Sequence, residues 1–263
     1  MRCKILAMTV LLLFAASPSW AAEDVTGKYI LDSFALVGDD NTIPPMDGKT
    51  AGLKTERAGK NLAGKKAGEE VFISVYYPQG TGNADVDKAI KAYADKAVET
   101  FNKDAAESLK GGFERPQTMA KTFTAVKPSD NYVSVVYYEF IDTGGAHPAW
   151  GYEAHTFNLN SGKEVAVENV FPNQDNIGFM ANYVSAALDK KCLESAPDNR
   201  VCGPATVDVE AVKNGMSKMI FTPGGAVILF SPYDQGAYVE GAKYVEIPKD
   251  MLINWGVSDE FWK

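Results

Sequence analysis

The sequence predicts an α+β fold with a mostly antiparallel sheet. Strand-like runs follow one another through tight turns, helical periodicity is confined to two main blocks, and no internal repeat is found. Strands linked by short turns pair antiparallel, because a parallel pair needs a long crossover.

In chain order, the first segment is an export signal. Arg2 and Lys4 precede an apolar run from Ile5 to Ala16, and Ser19-Trp20-Ala21 places small residues at both recognition positions of a signal peptidase. The run is well short of the roughly 20 residues that span a bilayer, and Pro18 interrupts it. Cleavage after Ala21 is expected, leaving a periplasmic or secreted protein without a transmembrane segment. Residues 39–70 are rich in Gly, Lys, Pro and Asn and read as a long flexible loop, preceded by a strand at Tyr29 to Val37.

Val71 to Tyr77 reads as a strand ended by Pro78-Gln79-Gly80. Val86, Ile90, Tyr93, Ala97 and Phe101 then recur at helical spacing behind Asn83 as N-cap. After Gly111-Gly112 and Pro116, Lys121 to Val126 and Tyr132 to Ile141 alternate as neighbouring strands. The turn Asp142-Thr143-Gly144-Gly145-Ala146-His147-Pro148 leads into Trp150 to Leu159, and Asn160-Ser161-Gly162-Lys163 into Glu164 to Val167. Ile177, Met180, Tyr183, Val184, Ala187 and Leu188 mark the second helix. A short helical stretch near Val209 to Lys213 precedes Met219 to Phe221. Thr222-Pro223-Gly224-Gly225 opens a hairpin into Ala226 to Phe230, Ser231 to Gly241 forms a loop, Tyr244 to Ile247 is the last strand, and Pro248 to Trp255 a terminal helix.

Loss of the signal removes two basic residues and no acidic ones, so Lys and Arg fall from 26 to 24 against 34 Asp and Glu, and the formal charge moves from −8 to −10. That charge disfavours nucleic acid and anionic lipid and steers a cationic partner inward, although solubility alone also accounts for it. Cleavage also discards Cys3, so Cys192 and Cys202 remain, and an oxidising compartment pairs them as a staple worth about 3 kcal/mol.

The chemistry-bearing residues are few. There are two histidines, His147 and His155, and no H-E-x-x-H, G-x-S-x-G, Walker or dinucleotide motif. No catalytic residue, metal or cofactor is expected. His147 reads as a turn histidine braced by Gly144 and Gly145, and His155 as a strand residue. Most aromatic residues of Tyr132 to Phe157 read as sheet packing. Tyr233 and Tyr238 differ, since a glycine-punctuated loop sets them beside Asp234 and Glu240, a composition suited to recognition. The candidate ligand-binding set is therefore Asp142, Gly144, Gly145, His147, Trp150, Tyr233, Asp234, Tyr238 and Glu240.

A set of motifs resembles the RsiV/PdaC-like domain family of bacterial cell-envelope proteins. They are Tyr76-Tyr77-Pro78 before a helix, and Tyr137-Tyr138-Glu139-Phe140 leading into Thr143-Gly144-Gly145-Ala146-His147-Pro148. Phe157-Asn158-Leu159, Ser161-Gly162-Lys163-Glu164, Phe230-Ser231-Pro232-Tyr233 and Glu246-Ile247-Pro248 complete them. The resemblance implies two parts: a small N-terminal α/β sandwich with a PdaC-like strand and helix at 70–120, and a larger RsiV-like domain at 121–263 with a mostly antiparallel sheet and packed helices. Residues 22–69 lie ahead of both. It further implies a ligand-binding module, because one branch is an anti-sigma ectodomain that recognises lysozyme and another is appended to polysaccharide deacetylases. The partner implied is a basic protein such as lysozyme; peptidoglycan or another envelope glycan, bound or hydrolysed at the His147 turn, is the alternative.

Overall fold

The computed structural model describes residues 51–62, 70–112, 115–166, 169–171, 173–195, 218–235, 238 and 241–263. The signal, the strand at 29–37, most of the 22–69 segment, the helical stretch at 209–213, the Cys192–Cys202 pairing and Glu240 lie outside the described residues or rest on them.

The class is α+β, in a six-stranded mixed sheet and a second three-stranded sheet. The larger sheet runs β1 (Lys54–Ala58), β2 (Val71–Gln79), β3 (Gln117–Ser129), β4 (Tyr132–Asp142), β5 (Ala149–Asn158) and β6 (Lys163–Glu164) in sequence order. Helix α1 (Ala84–Lys110) crosses from β2 to β3, which makes that pair parallel; the other pairs are antiparallel. The helix starts where the cap signal places it, with the Asn83 side chain accepting from the amides of Asp85 and Val86.

Odd-numbered residues of the larger sheet, among them Ile73, Val75, Phe123, Val135 and Tyr137, face α1 and enclose Val86, Ile90 and Phe101. Even-numbered residues of its centre, Val136, Tyr138, Tyr152 and Ala154, face the second sheet. That sheet is β7 (Met219–Thr222), β8 (Gly225–Phe230) and β9 (Lys243–Pro248), all antiparallel. Ile220, Val227 and Leu229 meet the larger sheet, while Phe221, Ile228 and Phe230 turn to α2 (Ile177–Ser195) and the short α3 (Lys249–Asn254). The layers are therefore helix, sheet, sheet, helix. With both faces covered, β3 and β4 are buried along most of their length.

One buried polar contact ties the two sheets together. Ser134 Oγ accepts the Phe221 amide at 3.1 Å and lies 2.8 Å from Thr156 Oγ1. Ser134→Ala strands both partners, so a loss of about 1–3 kcal/mol in unfolding free energy is expected by urea denaturation. An unchanged midpoint would show that the contact carries no net stability.

Three expectations differ from the structure. Within the stretch read as loop, Lys54–Ala58 forms edge strand β1 against β2. Its residues are almost all exposed, so hydrophobic alternation has nothing to show there. The boundary at 120/121 falls inside β3, which runs unbroken from Gln117 to Ser129. Of the strand expected at Glu164 to Val167, Lys163–Glu164 forms β6, Val165 and Ala166 lie outside it, and Val167 lies outside the described residues. Among the described residues, no helix is long and apolar enough to cross a membrane.

Candidate functional site

The second sheet covers the middle of the larger sheet but leaves its β2 side open. There the register sets Phe72, Thr118 and Asp142 side by side across β2, β3 and β4. This row is the floor of an open groove of about 670 Å³, within the size range of small-ligand sites. The remaining lining is Arg115, Pro116 and the loop from Gly144 to Pro148. Phe72 is 41% exposed, a large apolar side chain left uncovered by the fold.

The loop joining β4 to β5 is shaped by its own polar groups. Asp142 Oδ1 accepts the Gly144 amide at 2.8 Å, and Gly144 takes φ +80°, a conformation glycine adopts without strain. His147 Nδ1 lies 3.0 Å from the Pro148 carbonyl, which can only accept, so Nδ1 is the donor in this contact. The Tyr233 hydroxyl is 3.4 Å from Nε2 of the same ring.

Three aromatic groups predicted from two separate loops come together here. His147 and Tyr238 stack at 4.1 Å between centroids and 28° between planes, and Tyr233 lies 5.5 Å from Tyr238 and 6.5 Å from His147. The Tyr238 hydroxyl donates to the Pro148 carbonyl at 2.9 Å, which fastens the late loop to the hairpin. Tyr233 is 65% exposed and held at φ +73°, a left-handed conformation that a bulky residue rarely keeps without a reason.

Two other predicted residues play internal parts. Trp150 packs between the sheets, 5.8 Å from Tyr138 and 6.2 Å from Tyr152. Asp234 accepts the Ser231 amide at 2.7 Å and pairs with Lys218 at 2.5 Å, so its charge is used inside the loop. Burial, with Tyr238 nearby, pushes the Tyr138 phenol up to about 12. Sequence reasoning passed over Phe72, Arg115 and Thr118, because a groove floor depends on which strands become neighbours.

A second polar cluster lies under α1. Lys121, 3% exposed, reaches Glu139 at 2.7 Å and Glu153 at 2.5 Å, and the Tyr93 hydroxyl also donates to Glu153. Burial works to raise the Glu153 carboxyl, but the Lys121 charge and hydrogen bonds from Lys121 and Tyr93 outweigh it, leaving Glu153 below the ordinary carboxylate value. Burial drives Tyr93 and Tyr137 far above the ordinary phenol range. His155 Nδ1 meets Glu164 at 2.6 Å, and its ring packs edge-on to Tyr93 at 4.4 Å. These groups brace one another beneath a helix, away from the groove. Among the described residues no group of three or more His, Cys, Asp or Glu is placed to hold a metal ion.

Residues 65–149, spanning β2, α1, β3, β4 and the His147 loop, match the family model for the deacetylase PdaC. The fold is similar to a crystal structure of a DUF3298 family protein from Pseudomonas aeruginosa, at TM-score 0.56 and 16% identity over 82% of this chain and 99% of that one. A member of the same family from Bacteroides fragilis aligns at TM-score 0.44 and 13% identity, over 78% and 94% of the two chains. No curated protein matches the chain. Residues 65–149 of this chain therefore match the PdaC family model, and the fold as a whole is similar to that of a DUF3298 family protein.

Proposed function

We propose that this chain is an exported cell-envelope binding module and that the groove beside His147 takes envelope glycan. The observation that carries this reading is the stack of His147 and Tyr238, with exposed Tyr233 beside them, at the end of a groove that also offers Thr118, Asp142 and loop backbone. A pyranose ring has one apolar C–H face, which lies against the negative face of an aromatic ring, and a rim of hydroxyls that seeks such polar groups. The match of 65–149 to the family model for the deacetylase PdaC, with the envelope-protein motifs of the sequence, supports the same ligand class.

Calorimetric titration with N-acetylglucosamine oligomers and soluble peptidoglycan fragments tests it. Tyr233→Ala and Tyr238→Ala are each expected to weaken binding by about tenfold or more, the loss of about 1.4 kcal/mol that a well-placed aromatic contact supplies. Absence of binding by wild type at millimolar glycan would reject the reading.

A cationic protein such as lysozyme is the second reading, favoured by the expected mature charge of −10 and the 65% exposure of Tyr233. Its signature in surface plasmon resonance is an association rate that falls with salt, since a Debye length of about 8 Å at physiological ionic strength screens the attraction. The local chemistry supports it less, because Asp234 is neutralised by Lys218 and the groove itself carries Arg115. No binding at micromolar lysozyme in low salt would end that reading.

A further inference from the structure

Arg115 stands at the groove, and among the described residues no carboxylate pairs with it. Among the described residues its guanidinium meets only the Gly144 carbonyl, at 3.5 Å, the outer limit of a hydrogen bond. The side chain is exposed, follows α1 and precedes β3, and lines the same groove as Thr118, Asp142 and His147. By contrast, the half-buried or buried cations Lys121 and Lys218 are held by carboxylates, Lys121 by Glu139 and Glu153 and Lys218 by Asp234. A planar fork of five N–H donors, spent on one distant carbonyl at the wall of a cavity, is a group available to a ligand.

We propose that Arg115 makes this groove selective for a glycan whose sugar carries a carboxylate; this rests on the glycan reading above. The guanidinium fork matches the two oxygens of a carboxylate in a bidentate pair, stronger and more directional than a neutral hydrogen bond. The Asp142 carboxylate in the same lining sets the charge that is accepted. A single negative charge is balanced by Arg115, whereas a phosphate monoester would bring a second negative charge toward Asp142 and be repelled. The sugar then lies with its apolar face toward the His147 stack and its acidic substituent toward Arg115, so orientation is fixed by two different kinds of contact.

The test titrates four probes: a β-1,4-linked disaccharide of N-acetylglucosamine, the same disaccharide with a lactyl carboxylate on one sugar, the alcohol obtained by reducing that carboxylate, and a phosphorylated disaccharide. Wild type should bind the carboxylated probe about tenfold or more tighter than its alcohol, with the phosphorylated probe weaker than the carboxylated one. Arg115→Gln should bring the carboxylated probe down to the affinity of the alcohol, and Arg115→Lys should keep part of the difference because it retains charge but loses the fork. Thermal melts of both variants show that they fold. Equal wild-type affinity for the carboxylated probe and its alcohol, a preference that survives Arg115→Gln, or tighter binding of the phosphorylated probe would each overturn the assignment while leaving glycan binding intact. Failure of all four probes to bind would overturn the glycan reading, and this assignment with it.

Discussion

Gly225→Ala is expected to abolish the native fold, or to lower unfolding free energy by more than about 3 kcal/mol. Gly225 opens β8 at φ +148°, and a Cβ built there would lie 2.1 Å from the Ile247 carbonyl oxygen, 2.7 Å from the Lys249 nitrogen and 2.9 Å from the Pro248 carbonyl carbon. All three are backbone atoms of the facing chain, so no rotamer change relieves the clash. Nor can that chain retreat easily. Ala226 pairs with Ile247 and Gly225 with Pro248, Val245 and Ile247 are core residues under α2, and the Lys249 amide donates to the Gly224 carbonyl at 2.9 Å. Shifting β9 would therefore disturb the hairpin, the core and the start of α3 together. Gly224→Ala is the internal control: it adds the same methyl one residue earlier, where no atom lies within 4 Å, and should change stability by no more than about 0.5 kcal/mol. Urea denaturation of the two variants decides the matter. Wild-type stability in Gly225→Ala would mean that β9 does not hold this close approach in solution.

The same glycine pair shows what a sequence can and cannot disclose. Thr222-Pro223-Gly224-Gly225 reads as a hairpin turn because Pro and Gly restrict and free the backbone locally, and a hairpin is what forms. Which of the two glycines is indispensable depends on β9, which begins only at Lys243, and no local signal reports that. The pattern holds across the molecule. Helix α1 was legible from its period and the Asn83 cap, both local properties. Tyr233 and Tyr238 were legible as loop residues of recognition type and His147 as a turn residue, and the structure brings the three rings together. The groove floor was not legible, because Phe72, Thr118 and Asp142 become neighbours only through the parallel pairing of β2 with β3 and the antiparallel pairing of β3 with β4. Strand β1 was hidden for the opposite reason: its backbone pairs with β2 while its side chains remain in solvent. Lys121 was the least readable residue. In an alternating run a lysine looks like the solvent face, yet here it is buried, and its two carboxylates come from β4 and β5.

That buried lysine yields the other large effect: Glu139→Gln/Glu153→Gln is expected to cost about 3–5 kcal/mol. Lys121 is 3% exposed, while Glu139 and Glu153 are 26% and 38% exposed at the side chain, so the ammonium depends on the carboxylates more than they depend on it. Deleting both acids leaves a charge that water cannot reach, beside the Tyr93 ring at 5.3 Å and beneath α1. Each single substitution should cost less, because one carboxylate remains within reach. Adding Lys121→Met to the double variant removes the stranded charge, and should recover most of the loss since replacing a buried ionic group with an apolar one of similar size is often close to neutral. The pH dependence carries its own sign. Glu153 is held below its ordinary value in the folded chain, so its contribution is fully present above the unfolded carboxylate value of about 4.3 and disappears as pH falls through the lower folded value. Wild type should therefore lose stability on acidification below about pH 4.3 more steeply than the triple variant, in which neither the depressed carboxyl nor its partner remains. Urea denaturation at neutral and acidic pH measures both effects. A double variant as stable as wild type at neutral pH would show that Lys121 is solvated or neutral in the folded protein, and the account of the cluster as a mutually supporting ion triad would fall.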